Sequence, residues 1–164
     1  MNDAFYELIV AKQPTSADKA KKVLLIAVTA LAGLGALFVF PPLLVLFLIL
    51  IFVDSRLFPK FNVEYEYTYV NGEIDIAEVY SRQSRKEVAQ ITLENVECAA
   101  PLGSHHLDEF GNTYKVVDYS AGDPQNRPYV IVTGGENKQK ILLQLNEKMA
   151  EDLRYRIPRK MFTD

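Results

Sequence analysis

Cysteine is nearly absent from this chain, which has one such residue, Cys98, among 164. A single cysteine cannot form a disulfide within the chain, and it excludes a metal site built from several cysteines. This usage is typical of a protein that is kept in a reducing compartment. We expect Cys98 to be a small buried apolar residue and not a nucleophile.

Charge is missing from the thirty-one residues between Val23 and Val53, where Thr29 is the one polar side chain. About 20 apolar residues cross a bilayer as a helix, so this run is long enough to be a transmembrane segment. As one helix it would be roughly 46 Å long, whereas the hydrocarbon core is about 30 Å thick. The run therefore indicates a break or a steep tilt.

Pro41 and Pro42 divide the run. Proline lacks a backbone donor and disfavours a helical conformation in the residue before it, so a continuous helix is not expected. We predict a helical hairpin with one helix from about residue 19 to 40 and another from about 42 to 57. Because the second helix is short for a full crossing, a hairpin that enters the bilayer without traversing it stays an alternative.

Basic residues flank both ends of the run, namely Lys19, Lys21 and Lys22 before it and Arg56 and Lys60 after it. Cytoplasmic flanks are the ones enriched in Lys and Arg. We therefore predict a multi-pass protein of the cell membrane, with both the N-terminus and the C-terminal domain in the cytoplasm. The first half of the run is rich in Ala and Gly, which permits close packing within the hairpin or, as an alternative, a homodimer.

The remaining charge is unevenly distributed. Residues 1–60 contain six basic and four acidic side chains, a net charge of +2, whereas residues 61–164 contain twelve and seventeen, a net charge of −5. An acidic domain argues against binding to nucleic acid, which requires a basic surface. We expect the soluble domain to bind a protein partner beside the lipid bilayer.

Periodicity predicts the folded elements on either side of the run. Residues 2–12 place Phe5, Leu8 and Ile9 at helical spacing, so residues 1–18 are expected to be an amphipathic, interfacial segment. From Phe61 onward the period is two, which is typical of strands. The predicted strands cover about 61–69, 73–80, 86–93, 96–99, 114–119, 129–133 and 140–145. Asn71 and Gly72 predict a tight hairpin turn.

A terminal helix is expected after Asn146, with Met149, Leu153 and Ile157 four residues apart and Pro158 at its end. The fold class is thus a membrane α-helical hairpin plus an α+β domain. In that domain about seven antiparallel strands form a curved sheet or partly open barrel, which the C-terminal helix caps.

Three stretches carry a resemblance to a known family: Phe5-Tyr6-Glu7, the strand pair from Glu64 to Ile76, and Ile157-Pro158-Arg159-Lys160-Met161-Phe162. They resemble the bacterial pleckstrin-homology-like (PH-like) domains of small two-span membrane proteins whose function is unknown. The resemblance implies a hairpin at residues 19–60 and a cytoplasmic PH-like domain at residues 61–164. Lipid-binding members of the wider superfamily hold a phosphoinositide on a basic loop between the first two strands. Here that loop, Val70 to Glu73, has no cation.

Two basic clusters are the candidate contacts for a lipid or a partner. The residues are Arg82, Arg85 and Lys86 at a predicted turn, and Arg154, Arg156, Arg159 and Lys160 at the chain end. Solvated edges explain such clusters equally well. His105 and His106 precede two acidic residues, but adjacent side chains on a helix diverge, so we expect no metal. The tyrosines at 65, 67 and 69 predict core packing, with a peptide-binding surface as the alternative.

No nucleophile and base can be paired by spacing, so we expect no catalytic site, no metal and no cofactor. The sequence favours a non-catalytic membrane protein whose PH-like domain is a protein-interaction module. The alternative is a module that senses lipid headgroups through its basic clusters, and an enzyme centred on His106 is less favoured.

Overall fold

The computed structural model describes residues 4–111, 113–135 and 138–163. The chain forms two compact units. The helical unit contains Gln13–Val63 and Tyr80–Ser84, and the β unit contains Met1–Lys12, Glu64–Val79 and Arg85–Asp164.

The helical unit consists of α1 (Ser16–Phe38), α2 (Leu43–Leu57) and a short 3-10 turn (Phe58–Phe61). Thr15 caps α1, because its hydroxyl accepts from the Asp18 N–H while the Asp18 carboxylate accepts from the Thr15 N–H. The break falls at Pro41 and Pro42, as the sequence predicts, and α2 begins directly after Pro42. The predicted helix pair and its turn are therefore confirmed as structure.

Among the described helices, only α1 is both long enough and apolar enough to cross a membrane. α2 has 15 residues, which gives about 22 Å, less than the hydrocarbon thickness of about 30 Å. The predicted second crossing is therefore not confirmed.

Glycine allows the two helices to approach each other closely. A Cβ added to Gly33 would lie 2.9 Å from the Phe47 ring, and one added to Gly35 would lie 3.1 Å from the Leu43 side chain. The small residues of α1 at these two positions thus face α2 within the same chain. Most large apolar side chains of both helices are exposed, including Val23, Leu31, Val45 and Phe52.

The first sheet of the β unit has the strand order β1-β2-β3-β4. Its strands are β1 (Phe5–Ala11), β2 (Val63–Val70), β3 (Glu73–Tyr80) and β4 (Ser84–Ile91). The turn between β2 and β3 has positive φ at Asn71 (51°) and Gly72 (99°), which confirms the predicted hairpin.

The predicted helix over residues 2–12 is wrong where the structure describes it, because residues 5–11 form a strand. β1 pairs antiparallel with β2, from Phe5 opposite Val70 to Ala11 opposite Glu64. Within β1, exposure alternates, with Phe5, Glu7 and Ile9 exposed and the residues between them less so. Three apolar residues of this segment also have helical spacing. Pairing with the distant strand β2 stabilises the extended conformation instead.

The second sheet has the order β5-β7-β8-β6. It contains β5 (Val96–Pro101), β6 (Lys115–Asp118), β7 (Tyr129–Thr133) and β8 (Gln139–Leu143). The prediction of one seven-stranded antiparallel sheet is therefore wrong: the described strands form two sheets of four. β6 runs parallel to β8, because the chain crosses over to place β7 and β8 between β5 and β6.

Helix α3 (Glu147–Arg156) follows the second sheet. As predicted, Asn146 caps it, accepting from the Met149 N–H at 2.8 Å, and Met149 and Leu153 are buried. The chain end then lies along β5, where the Ala99 N–H donates to the Lys160 carbonyl and the Phe162 N–H donates to the Ala99 carbonyl. This contact covers one edge of the second sheet.

Candidate functional site

The first basic cluster surrounds the turn between β3 and β4. Ser81 and Arg82 adopt positive φ (47° and 57°), which produces a tight turn with Arg82 exposed. The Arg85 guanidinium lies 3.3 Å from the Glu66 carboxylate, and Lys86 is exposed. Exposed ion pairs of this kind contribute little stability, about 0–1 kcal/mol.

The C-terminal cluster divides into two kinds of residue. The Arg156 Nε donates to Asp152 Oδ2 at 2.6 Å, and the Lys160 ammonium donates to the Val96 carbonyl at 2.6 Å. Arg154 and Arg159 are exposed. Arg156 and Lys160 therefore hold the fold together, and only Arg154 and Arg159 extend into solvent.

Arg156 belongs to a polar network that the sequence did not reveal. Besides Asp152, its guanidinium donates to Asn71 Oδ1 at 3.2 Å, and that oxygen also accepts from the Ala4 N–H at 3.1 Å. The Tyr69 hydroxyl donates to the same Asp152 carboxylate. The network thus joins α3, the β2–β3 turn and the start of β1.

The tyrosine stripe is core, as the sequence predicts. Tyr65, Tyr67 and Tyr69 are at most 2% exposed, and the Tyr67 hydroxyl donates to the Tyr119 carbonyl at 2.6 Å. Burial raises the pKa of Tyr65 to about 12 and raises the pKa values of Tyr67 and Tyr69 as well. These rings are not available as a peptide-binding surface.

His105 and His106 lie in a 3-10 turn that Ser104 caps. The His106 ring stacks on Phe162, with ring centroids 3.6 Å apart. Within residues 4–111, 113–135 and 138–163, no three His, Cys, Asp or Glu side chains are placed to share a metal ion. Cys98 is buried beside this turn, and burial raises the pKa of its thiol, so it fits the predicted role of a small apolar residue.

Sequence reasoning missed a polar contact inside the helical unit. The Thr29 hydroxyl donates to Asp54 Oδ2 at 2.7 Å. Asp54 is 6% exposed, and its other carboxylate oxygen is buried with no hydrogen-bond partner among the described residues. The sequence contained one signal for this contact. Asp54 is the first charged residue after the apolar run, and Thr29 is the one residue with a hydroxyl within it.

Two clefts of the β unit lie beside β4, the last strand of its sheet. Val88, Ala89 and Gln90 line two open clefts, of about 410 Å³ and 350 Å³. The larger cleft is otherwise lined mainly by neutral polar groups such as Thr92, Asn95, Thr133 and Gln139. The smaller one also contains the acidic side chains of Asp75 and Glu87.

Two four-stranded sheets followed by a C-terminal helix are consistent with a PH-like α+β domain. Residues 2–163 match the family model described as a bacterial PH-like domain (DUF6106), so the chain belongs to this family of unknown function. Neither the curated proteins nor the solved structures contain a match to the chain.

Proposed function

We propose that the chain is a non-catalytic integral membrane protein whose β unit binds an extended protein segment at the cytoplasmic face of the membrane. The observation that carries this proposal is the position of β4, which is the last strand of its sheet and lies beside two clefts.

Membrane anchoring is supported by where the apolar side chains lie. Leu31, Leu37 and Phe38 of α1 and Leu48 and Phe52 of α2 are each more than half exposed. Exposed apolar patches of this extent mark a surface that contacts a membrane or a partner. The length of the uncharged run favours the bilayer.

Orientation is supported by the pairing of β1 with β2, which precede and follow the helix pair in sequence. Two strands that exchange hydrogen bonds occupy the same compartment. Both flanks of the hairpin therefore lie on one side of the membrane, and their lysines and arginines favour the cytoplasm.

A test of this topology uses single cysteines in a Cys98→Ala background, because Cys98 itself is buried. We expect Glu7→Cys and Tyr155→Cys to react with an impermeant maleimide only after the cells are permeabilised, since both positions are exposed. Labelling of Val39→Cys, in the turn between the helices, measures whether the opposite end of the hairpin is accessible to the maleimide. Labelling of Glu7→Cys and Tyr155→Cys from opposite sides contradicts the proposal.

The binding edge is supported by the charge pattern of β4. Its first half, Ser84 to Glu87, contains three charged residues, which is how edge strands avoid unwanted pairing. Its second half, Val88 to Ile91, is uncharged and lies along the two clefts. The Val88 carbonyl accepts from the Tyr119 hydroxyl at 3.5 Å, so an added strand would exchange backbone hydrogen bonds with Ala89 to Ile91 and direct alternate side chains to opposite faces.

The residues that line the two clefts indicate which kind of segment would bind there. Asp75 and Glu87 favour a Lys or Arg in the smaller cleft. The hydroxyl and amide groups of the larger cleft favour a polar side chain. The net charge of −5 over residues 61–164 favours a basic segment as well.

The experiment is mass spectrometry of proteins that co-purify with the full-length chain in discs of native membrane. Ala89→Arg places a large cation in both clefts and should abolish recovery of a specific partner. Asp75→Asn with Glu87→Gln should weaken it. Val116→Arg is the matched control, because Val116 is an exposed apolar residue of β6 in the other sheet. Equal loss of the partner with Ala89→Arg and Val116→Arg contradicts binding at β4.

The second candidate function is recognition of anionic lipid headgroups by the basic clusters. The exposure of Arg154 and Arg159 favours it, since each cation near an anionic surface contributes about 1 kcal/mol. Mass spectrometry of the same discs separates the two functions. Enrichment of an anionic lipid that is lost in Arg154→Gln with Arg159→Gln, with no protein partner recovered, supports this second function.

A further inference from the structure

A cleft of about 590 Å³ opens in the helical unit where α1 begins and α2 ends. Asp18, Lys19 and Lys22 of α1 form one wall of the cleft. Ser55, at the end of α2, lies on its border together with Phe58 and Phe61 of the 3-10 turn that follows. The volume lies within the range of about 300–1,000 Å³ that small-molecule sites usually have.

The lining combines cations with apolar rings. Lys19 and Lys22 contribute two ammonium groups, which bind phosphate as point charges. The Asp18 carboxylate also lines the cleft, but its Oδ2 accepts from the Thr15 N–H at 3.1 Å and from the Thr15 hydroxyl at 2.7 Å. The carboxylate keeps its charge, and two lysines against one aspartate give the lining a net positive charge.

A neighbouring cleft of about 560 Å³ extends this basic region. It shares Ser55 and Pro59 with the first cleft and adds Arg56 and Lys60. Four cations thus lie around one end of the helical unit, while the apolar run begins at Val23, one residue beyond Lys22. Cations that directly adjoin a bilayer-spanning segment lie at the depth of lipid headgroups.

We propose that the cleft beside Lys19 and Lys22 binds the phosphate of an amphiphilic phosphate ester, as in an anionic phospholipid. The two ammonium groups contact the phosphate oxygens, the Ser55 hydroxyl contacts the polar backbone of the ligand, and Phe58 and Phe61 contact its apolar part. This inference rests on the membrane placement proposed above, and it concerns a site separate from β4 and from the C-terminal basic cluster.

The test is native mass spectrometry of the full-length chain released from discs that contain phosphatidylcholine and phosphatidylglycerol. We expect the wild-type chain to retain phosphatidylglycerol selectively. Lys19→Gln with Lys22→Gln should reduce this retention about 30-fold, at about 1 kcal/mol for each cation. Lys19→Arg with Lys22→Arg should preserve it, which shows that charge and not fold is being measured.

Lys21→Gln is the matched control, because Lys21 lies between the two lysines on the same helix and does not line the cleft. Equal loss of retention in Lys21→Gln and in the double Gln variant overturns the proposal, as does equal retention of the two lipids by the wild-type chain. Failure of the chain to enter discs overturns the membrane placement together with this inference, whereas entry without selective retention overturns the inference alone.

Soluble glycerol 3-phosphate distinguishes the two sources of the phosphate. If millimolar glycerol 3-phosphate displaces the retained lipid from the wild-type chain, the site accepts a free phosphate ester. If the lipid stays bound, the apolar portion is required and the ligand comes from the bilayer. Both results support a phosphate site, and the double Gln variant must weaken binding in either case.

Discussion

The β unit and the helical unit each contain a polar contact around an aspartate, and the two contacts differ in completeness. Asp152 binds both the Tyr69 hydroxyl and the Arg156 guanidinium. Asp54 binds the Thr29 hydroxyl through one oxygen, and its other oxygen is buried without a partner among the described residues. The first contact is part of what specifies the fold, whereas the second satisfies only one of the two carboxylate oxygens within the described residues.

Removing Asp152 should have the largest effect. Asp152→Ala leaves the Tyr69 hydroxyl and the Arg156 guanidinium without their carboxylate, so we expect the free energy of unfolding of the β unit to fall by about 1.5–3 kcal/mol. Chemical denaturation of the full-length chain in detergent measures this change. Glu151→Ala is the control, since Glu151 is the adjacent exposed carboxylate. A similar loss in both variants would show that the network contributes nothing specific.

Enlarging Gly33 tests whether close packing, and not polarity, holds the helix pair. A side chain there must displace the Phe47 ring, so Gly33→Val should destabilise the pair by about 1–3 kcal/mol. Energy transfer between probes at the exposed Leu24 and Val45 during an SDS titration reports helix separation. Ala30→Val, on an exposed position, should change little, and Phe47→Leu should partly restore the Gly33 variant.

Removing the aspartate should have opposite effects at the two contacts: loss of Asp152 lowers stability, whereas loss of Asp54 from the Thr29 variant raises it. Thr29→Val removes the one donor to Asp54 among the described residues and should destabilise the helix pair by about 0.6–1.7 kcal/mol. Adding Asp54→Leu removes the acceptor too, and the double variant should return to or exceed wild-type stability. The same SDS titration measures both. If Asp54→Leu adds a further loss, the carboxylate stabilises the pair and the comparison fails.

The smallest effect is confined to alkaline solution. Burial raises the pKa of Tyr65 from 10.0 to about 12, so its neutral form is favoured in the folded state. This contribution to stability is complete below pH 10 and is lost as pH rises from 10 through 12. Tyrosinate absorbance during an alkaline titration should lack one late step in Tyr65→Phe. An unchanged titration curve would contradict the burial of this hydroxyl.

Local signals in the sequence predicted most of the elements. The proline pair, the Asn71 and Gly72 turn and the Asn146 cap each determine the structure of neighbouring residues only. β1 was missed because its conformation depends on β2, more than fifty residues later. The division into two sheets was missed for a similar reason, since the crossover that places β6 parallel to β8 leaves no mark on local periodicity.

For the candidate sites, too, local features were predicted from the sequence and long-range contacts were not. Charge predicted the two basic clusters, but it could not predict that Arg156 and Lys160 bind groups within the fold. The clefts beside β4 and the Thr29 contact with Asp54 depend on residues that are distant in sequence. Periodicity and composition contain no information about such juxtapositions.

The pairing of β1 with β2 also constrains how the chain is made. Ala11 leaves the ribosome fifty-three residues before its partner Glu64, which at about 5–20 residues per second is a delay of roughly 3–10 seconds. During this interval the ribosome synthesises α1 and α2, so the first strand of the sheet stays unpaired until both helices have been made. Completion of the β unit therefore depends on the helix pair, because β1 and β2 can form hydrogen bonds only when the chain reverses direction between α1 and α2.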